Sequence, residues 1–316
     1  MHALETLSLA SLLLTAVGVL TDDHLDKPPN EPNLDYLESG LVANLPITNA
    51  NVTEIANGYI PQDCVDMTTS DKLNPIDVTA YTVTYDDCTT DPWILCQHKD
   101  SNTTLDSLVE FFGQLPVQTR QWVRHVISLP DTGAHAYNSG GNIAMFDITT
   151  LTVFVHESGH SLDLLGAYFS NESSSDPESV SSSQAWLDAY GNDTDVPDPY
   201  SQSSQVENVA QNTVVASFDT NVPGGLPAIN SKWSQINHQY SYMEELSANA
   251  GNLIKPVEVS NCTHRLENSA LVQPGSSSRL TRFMSRAELP DISLSANVKR
   301  IPPRSFNTRD VCGQEI

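Results

Sequence analysis

Basic residues are scarce in this sequence. Its 316 residues include 15 lysines and arginines against 39 aspartates and glutamates, which gives a net charge of −24 at pH 7. Eight of the basic residues follow residue 264, where five acidic residues leave the tail at net +3 and the remainder of the chain at −27. Because a body of this charge repels nucleic acid and anionic membranes, we exclude both as partners.

Long apolar runs are absent after residue 20, so the sequence predicts no membrane span beyond that point. Residues 7–20 form an apolar run that is too short to cross a bilayer, and Ala16 and Gly18 are small residues of the kind that signal peptidase reads. We therefore predict a signal peptide over residues 1–18 and a secreted protein. Residues 1–6 carry no lysine or arginine, and a buried N-terminal helix is the alternative.

The sequence also lacks a Cys-x-x-Cys motif, and its five cysteines indicate disulfide bonds better than a zinc knuckle. Cys88 and Cys96 are the easiest local pair, and Cys262 with Cys312 would fix the C-terminal tail. An odd cysteine remains, and the sequence alone leaves the connectivity open. Five Asn-x-Ser/Thr sequons agree with secretion and are candidate glycosylation sites. They begin at Asn51, Asn102, Asn171, Asn192 and Asn261.

The pattern of apolar residues predicts an α+β protein. Residues 19–60 are rich in Pro, Asn and Asp and indicate an extended arm or a propeptide. Residues 61–250 would form the folded domain, and residues 251–316 a loosely ordered basic tail. Periodicity predicts strands over 76–85 and 142–148, one or two helices over 105–128 broken near Pro116, a loop with one short helix over 168–204, and a helix over 206–218.

The most informative segment is His156-Glu157-Ser158-Gly159-His160, which lies within an apolar run. In a helix, the two histidines project from one face and can bind a single Zn²⁺. Glu157 lies beside them and is free to take a proton from an attacking water and deliver it to a leaving amine. Gly159 lowers helix propensity and indicates close backbone approach. The alternative is a helix whose histidines merely satisfy structural hydrogen bonds.

A third metal ligand is not adjacent to the motif. The sequence after His160 does not follow the metzincin spacing, and no Asn-Glu-x-x-x-Asp follows as in thermolysin-like enzymes. Asp163 is one turn further on the histidine face, where it would bind the metal or orient an imidazole. Glu207, 47 residues after His160, lies in the second predicted helix. Ser204 to Glu207 also fits a capping box, in which Glu207 would only cap its own helix.

These motifs resemble the anthrax lethal-factor-like zinc metallopeptidases, in which His-Glu-x-Gly-His-x-x-Asp is followed by Glu-x-x-Ala-Glu/Gln on another helix. The resemblance covers about residues 76–220 and implies a zincin-like fold, with a small mixed sheet packed on the motif helix. It also implies that Glu207 is the third zinc ligand and that Tyr200, seven residues earlier, steadies the oxyanion of the tetrahedral intermediate. Asp198-Pro199 is a good helix start, which would put Tyr200 and Glu207 on one helix.

The sequence departs from that pattern after the glutamate, where Ala-Gln-Asn-Thr stands in place of Ala-Glu-Ala-Phe. Its layout also resembles fungal secreted proteins described as conidiation-specific, a label for an expression pattern. We therefore expect a secreted, monomeric zinc endopeptidase that acts on a protein or peptide substrate, extracellular and in contact with the cell wall or spore. Two alternatives stay open: a zinc-binding protein of the same fold without activity, and an enzyme in which Asp163 is the third ligand.

Overall fold

The computed structural model describes residues 24–130, 135–147, 150–169, 179–257, 262 and 265–275, together with the backbone of 299–300. The predicted signal peptide, the sequons at Asn171 and Asn261, Cys312 and most of the basic tail lie outside these residues. The described sequons lie at Asn51 in a strand, Asn102 in a turn and Asn192 at a helix end. No helix in the described ranges is long and apolar enough to cross a membrane.

The protein has a mixed α+β fold around one large sheet. Its strands are β1 (Ala50–Glu54), β2 (Ile60–Pro61), β3 (Val78–Tyr85), β4 (Cys88–His98), β5 (His125–Leu129), β6 (His135–Ser139), β7 (Asn142–Phe146), β8 (Leu271–Val272) and β9 (Lys299–Arg300). Its α-helices are α1 (Glu38–Asn44), α2 (Gln62–Ser70), α3 (Leu105–Gln114), α4 (Val117–Arg120), α5 (Leu151–Leu164), α6 (Gln184–Asn192), α7 (Gln205–Asn221) and α8 (Asn237–Asn249).

Within the described residues, the large sheet has the strand order β6-β7-β5-β4-β3-β1-β9. The central strands β4, β5 and β7 are parallel, whereas β6 pairs antiparallel with β7 and forms one edge. β2 and β8 form a separate small ribbon. Because β7 leads into α5, the sheet fixes the starting point and direction of the motif helix.

Period-two alternation gives the sheet two buried faces. In β7, Ile143 and Met145 point into the larger core, which contains side chains of α1, α3, α5 and α7, while Ala144 and Phe146 point into the smaller core against α2. β4 divides its side chains in the same way. Burial on both faces explains why the central strands β5 and β7 are largely apolar throughout, whereas β3 keeps a polar–apolar alternation.

The two predicted strands are confirmed over 78–85 and 142–146, and residue 148 lies outside the described residues. The helix predicted over 206–218 and the helix break near Pro116 are confirmed, and the short helix predicted within 168–204 lies at 184–192. The prediction of helix up to residue 128 is wrong, because His125–Leu129 is β5. All five of its residues are buried between two parallel neighbours. A short apolar run does not by itself distinguish a buried strand from a buried helix, and the β-branched Val126 and Ile127 favour the strand.

The second half of the predicted arm is part of the folded domain. Leu34, Leu37, Leu41 and Leu45 recur at helical spacing and are at most 5% exposed, with α1 packed in the main core. β1 adds an antiparallel strand beside β3. Within the described residues, the interpretation as an irregular arm therefore applies only to residues 24–33, and the leucine spacing was the signal that pointed to the helix.

The predicted cysteine pairs are wrong. Cys64 is bonded to Cys96, and Cys88 to Cys262. Cys88 and Cys96 both lie in β4, where eight residues of extended chain separate their backbones by about 26 Å, far too much for a disulfide. Cys262 is then unavailable to Cys312. The bond to Cys88 attaches the first part of the tail to the sheet, where Arg265 also packs over the Trp93 ring.

Candidate metal centre

The motif segment is helical, as the sequence predicts, and two contacts fix where the helix begins. The Thr150 side chain accepts a hydrogen bond from the Val153 N–H, and the Glu38 carboxylate accepts from the N–H groups of Leu151 and Thr152 at 2.8 Å each. A carboxylate at a helix N-terminus satisfies free donors and interacts favourably with the helix dipole. α1 therefore anchors the start of the motif helix.

Gly159 lies where α5 meets α7. A Cβ atom at this position would lie 3.1 Å from the Cα of Ala210 and 3.1 Å from the Thr213 side chain. The expectation that this glycine marks close backbone approach is confirmed. The contact sets the distance between the two helices that carry the candidate ligands.

The two histidines and Glu207 converge on one point. Glu207 Oε2 lies 3.2 Å from His156 Nε2 and 3.3 Å from His160 Nε2, and the two Nε2 atoms are 3.2 Å apart. Within the described residues, these three form the one group with the spacing to hold a metal ion. Glu207 thus lies within 3.3 Å of both imidazoles, although it follows His160 by 47 residues in the sequence.

The size of this triangle matches a known coordination geometry. Zinc ligands lie about 2.0–2.1 Å from the metal, and three corners of a tetrahedron of that size are separated by about 3.3 Å. The observed separations of 3.2–3.3 Å agree with that edge. Two imidazoles and one carboxylate with a fourth corner open are the donor set of a catalytic site more than of a closed structural one. These residues fit a small tetrahedral divalent cation.

The capping box that competed for Glu207 is present only in part. Ser204 does cap α7, since its Oγ accepts from the Glu207 N–H at 3.2 Å. The Glu207 carboxylate nevertheless turns to the histidines. Burial raises the pKa of Glu207, but hydrogen bonds from His156 and His160 in their protonated form, and the positive charge they then carry, outweigh it and lower the pKa to about 2.

A side chain that the sequence reasoning did not assign orients His156. Gln211 Oε1 lies 3.1 Å from His156 Nδ1, and Gln211 Nε2 donates to Asp198 Oδ2 at 2.6 Å. Because an ionised carboxylate only accepts, Asp198 fixes the amide so that its oxygen faces the imidazole. In its neutral form, His156 then carries its proton on Nδ1, which leaves the Nε2 lone pair directed at the triangle. The position of Gln211, four residues after Glu207, was the available signal.

Asp163, the predicted orienting residue, is 1% exposed, and its Oδ1 accepts from the Ser181 N–H at 3.0 Å. The described hydrogen bonds do not join it to His160, and it does not belong to the group of three residues that could hold a metal ion. The 3₁₀ turn Val180–Ser182 packs on α5 and supplies the donor instead. Burial raises the pKa of Asp163, against the lowering effect of the hydrogen bond from Ser181.

Glu157 is available for proton transfer. Its side chain is almost fully buried, and its Oε2 atom has no hydrogen-bond partner among the residues that the structure describes. Burial raises the pKa of Glu157, while the charges of His156 and His160 act to lower it. A buried carboxylate with a raised pKa and a free oxygen beside a cluster of ligand atoms is the arrangement expected of a general base.

Tyr200 lies over the same cluster, but not on the same helix as Glu207. It begins a 3₁₀ turn, Tyr200–Ser203, and α7 starts only after Ser204, so the prediction of one continuous helix is wrong. The Tyr200 ring centroid is 5.5 Å from that of His156. Burial and the negative charges of Glu207 and Glu157 raise the pKa of Tyr200 to about 12, so its hydroxyl keeps its proton and can donate.

The comparisons with known proteins cover this whole site. The chain matches the family model described as conidiation-specific protein Con-13 over residues 33–246. It is similar to conidiation-specific protein 13 of Neurospora crassa, with 33% identity over 223 residues, 67% of this chain and 63% of the relative. The match thus spans less than two thirds of that relative, whose name refers to conidiation and states no reaction. No solved structure matches the chain.

Proposed function

This chain belongs to the conidiation-specific protein Con-13 family, and we propose that it is a secreted, zinc-dependent endopeptidase. The observation that carries the proposal is the triangle of His156, His160 and Glu207 atoms, with edges of 3.2–3.3 Å, beside the buried carboxylate of Glu157. The family name gives no chemistry, so the proposal depends on the geometry of the site and on the lethal-factor-like motif pattern in the sequence.

The three ligand side chains have the identity and spacing that favour Zn²⁺. Imidazole nitrogen and carboxylate oxygen are common zinc donors, and the edge lengths agree with a tetrahedron of about 2.0–2.1 Å radius. Zinc at this point would supply a Lewis acid and lower the pKa of a water molecule to about 7. Asp198 holds Gln211 against His156 Nδ1, and this contact directs the unprotonated Nε2 of neutral His156 at the centre.

Glu157 takes the proton of the attacking water in this proposal. It is the residue next to His156 on α5, it is not one of the three converging ligands, and its free Oε2 is buried. After attack on the peptide carbonyl, the same carboxyl group delivers the proton to the leaving amine. The raised pKa of Glu157 brings it closer to the operating pH and so suits both steps.

Tyr200 supports the proposal as the oxyanion donor. Burial and the charges of Glu207 and Glu157 keep its hydroxyl protonated, and the residue is 45% exposed, so a substrate can reach it. A neutral phenol that donates to developing negative charge stabilises the transition state more than the ground state. Removal of one such donor lowers kcat by about 10²–10³-fold.

The sheet edge offers a place for an extended peptide. β6 is the edge strand beside α5, and Asn138 on β6 donates to the Glu157 carbonyl at 2.7 Å and to Ser161 Oγ at 2.8 Å. An edge strand presents backbone donors and acceptors that a peptide can pair with. The hydrogen bond from Asn138 to the Glu157 backbone fixes the position of the strand edge relative to Glu157, whose carboxylate is to act on the bound peptide.

Secretion is supported by the two disulfides and by the sequons. Disulfides form and persist in oxidising compartments, and Cys64–Cys96 and Cys88–Cys262 connect distant parts of the chain. The sequons at Asn102 and Asn192 lie at exposed positions where a glycan can be attached.

Two measurements test the proposal. Elemental analysis of the purified protein is expected to give one zinc per chain, and the Glu207→Ala variant much less. Hydrolysis of casein or of a peptide library is expected from the wild type and to be lost in Glu157→Gln, which keeps the shape of the side chain and removes the base. Glu245→Gln, at an exposed position of α8, is the matched control and should retain activity.

The two readouts separate the possible outcomes. Zinc-free protein after equilibration with the metal would refute the metal centre. Stoichiometric zinc with no cleavage of any substrate between pH 4 and 9 would refute the peptidase and identify a zinc-binding protein of the same fold.

A further inference from the structure

The loop that carries Tyr200 has no α-helix or β-strand of its own and contains only the 3₁₀ turn Tyr200–Ser203. We call residues 193–203 the tyrosine loop, and it also carries Asp198, the residue that fixes Gln211 against His156. Its first residues are held by α8 and the turn before it, since Asp193 accepts from the His238 N–H and the Thr194 N–H donates to the Gln235 carbonyl. Its end is held by the start of α7. The part between these ends is where both site residues lie.

Residues 24–31, which we call the N-terminal strap, supply the missing backbone partners. The Val196 N–H donates to the Pro28 carbonyl at 3.0 Å, and the Val196 carbonyl accepts from the Asn30 N–H at 2.8 Å. On the other side of Tyr200, the Leu25 N–H donates to the Gln202 carbonyl at 2.8 Å. The strap therefore contacts the tyrosine loop both before and after Asp198 and Tyr200.

The strap is itself anchored to other elements. The Lys27 amine donates to the Tyr190 and Asp193 carbonyls, and it lies over the Tyr190 ring. Asn30 is 1% exposed, and its amide donates to the Lys232 carbonyl at 3.2 Å and accepts from Asn230 at 2.9 Å. A buried amide with this many partners fixes the backbone on either side of it. The strap thus connects the 230–235 region to the tyrosine loop through hydrogen bonds at both ends.

We propose that the N-terminal strap is a positioning element of the active site that remains in the mature protein and holds Tyr200 and Asp198 in place through its hydrogen bonds to the tyrosine loop. The proposal rests on the proposed peptidase function. It reverses the expectation for a propeptide: proteolytic loss of residues 24–31 lowers the activity instead of releasing it. A shift of about 1 Å in a residue that acts in the transition state is enough to lower the rate by up to about 100-fold.

A backbone substitution tests the strap without a change at the site. Leu25→Pro removes the N–H that donates to Gln202, and Leu25→Ala is its matched control because it shortens the same side chain and keeps the N–H. In Leu25→Pro we expect kcat about tenfold lower than in Leu25→Ala, with KM within about twofold. We also expect hydrogen exchange at the Val196 amide to be about tenfold faster.

A double-mutant cycle with Tyr200→Phe separates positioning from general destabilisation. If the strap acts through the tyrosine hydroxyl, Leu25→Pro lowers kcat in the wild type but has no further effect in Tyr200→Phe. Equal effects in both backgrounds would refute positioning through Tyr200. A chain that begins at residue 32 and is more active than the wild type would establish a propeptide and overturn the proposal.

The exchange experiment also keeps the two proposals distinguishable. If the wild type is as inactive as Glu157→Gln, the peptidase function fails. Exchange at Val196 still decides the structural claim, since unchanged exchange in Leu25→Pro would show that the strap does not hold the tyrosine loop.

Discussion

Replacement of Gln211 by leucine tests the chain of contacts that directs His156. The substitution keeps the approximate volume but removes the acceptor for His156 Nδ1, at 3.1 Å, and the donor to Asp198 Oδ2, at 2.6 Å. Side chains that orient a metal-ligating histidine typically contribute 10- to 100-fold to metal affinity. We therefore expect the zinc dissociation constant to rise by that factor, which corresponds to about 1.4–2.7 kcal/mol.

The same change also carries a cost in stability. Asp198 is 3% exposed, and its Oδ1 keeps two hydrogen bonds from Ser201, but Oδ2 loses its donor. A hydrogen bond to a charged group contributes about 1.5–3 kcal/mol, so we expect the metal-free variant to lose an amount in that range. Conversion of Asp198 to asparagine in the Gln211→Leu background should return part of it, because a neutral amide is less costly to leave unpaired.

Competition with a chromophoric chelator gives the zinc dissociation constant, and urea unfolding of the metal-free protein gives the free energy of unfolding. Gln184→Leu is the control, since this glutamine is exposed on α6 and distant in sequence from the ligands. A zinc affinity for Gln211→Leu within twofold of wild type would refute the role of Gln211 in orienting His156.

Three further predictions follow from the packing and the charges. Gly159→Ala should lower the melting temperature and reduce the free energy of unfolding by about 1–3 kcal/mol, because the added methyl group overpacks against α7. This loss should outweigh the higher helix propensity of alanine. A more stable variant would contradict the close contact. Burial and the neighbouring Asp219 raise the pKa of Glu244 to about 7. Its contribution to stability is therefore full below pH 4.5 and is lost as the pH rises through 7. Between pH 4 and 8, the melting temperature should fall less in Glu244→Gln than in the wild type. Replacement of Cys64 and Cys96 together by alanine should cost about 3–4 kcal/mol in urea unfolding, and peptide mapping of the intact protein should recover these two cysteines in one linked pair.

Local sequence was sufficient for the part of the site that one helix carries. His156 and His160 are four residues apart, and helix geometry alone puts both imidazoles on one face with Glu157 beside them. Strand β3 and helix α7 were equally predictable, since their periodicity is strong over eight residues or more. Short apolar runs were less informative, and β5 was predicted as helix because five buried residues fit either period.

The sequence by itself thus determined the histidine pair, the candidate base and the α+β class, because these depend on contacts within three or four residues along the chain. Tertiary structure decided which distant groups meet them. Glu207 was one of two candidates, with Asp163, until the close contact of α5 and α7 at Gly159 brought its carboxylate within 3.3 Å of both imidazoles. The cysteine pairs, the Asp198–Gln211 relay and the strap beside Tyr200 were decided in the same way, since spatial proximity of residues far apart in sequence depends on how the whole core packs.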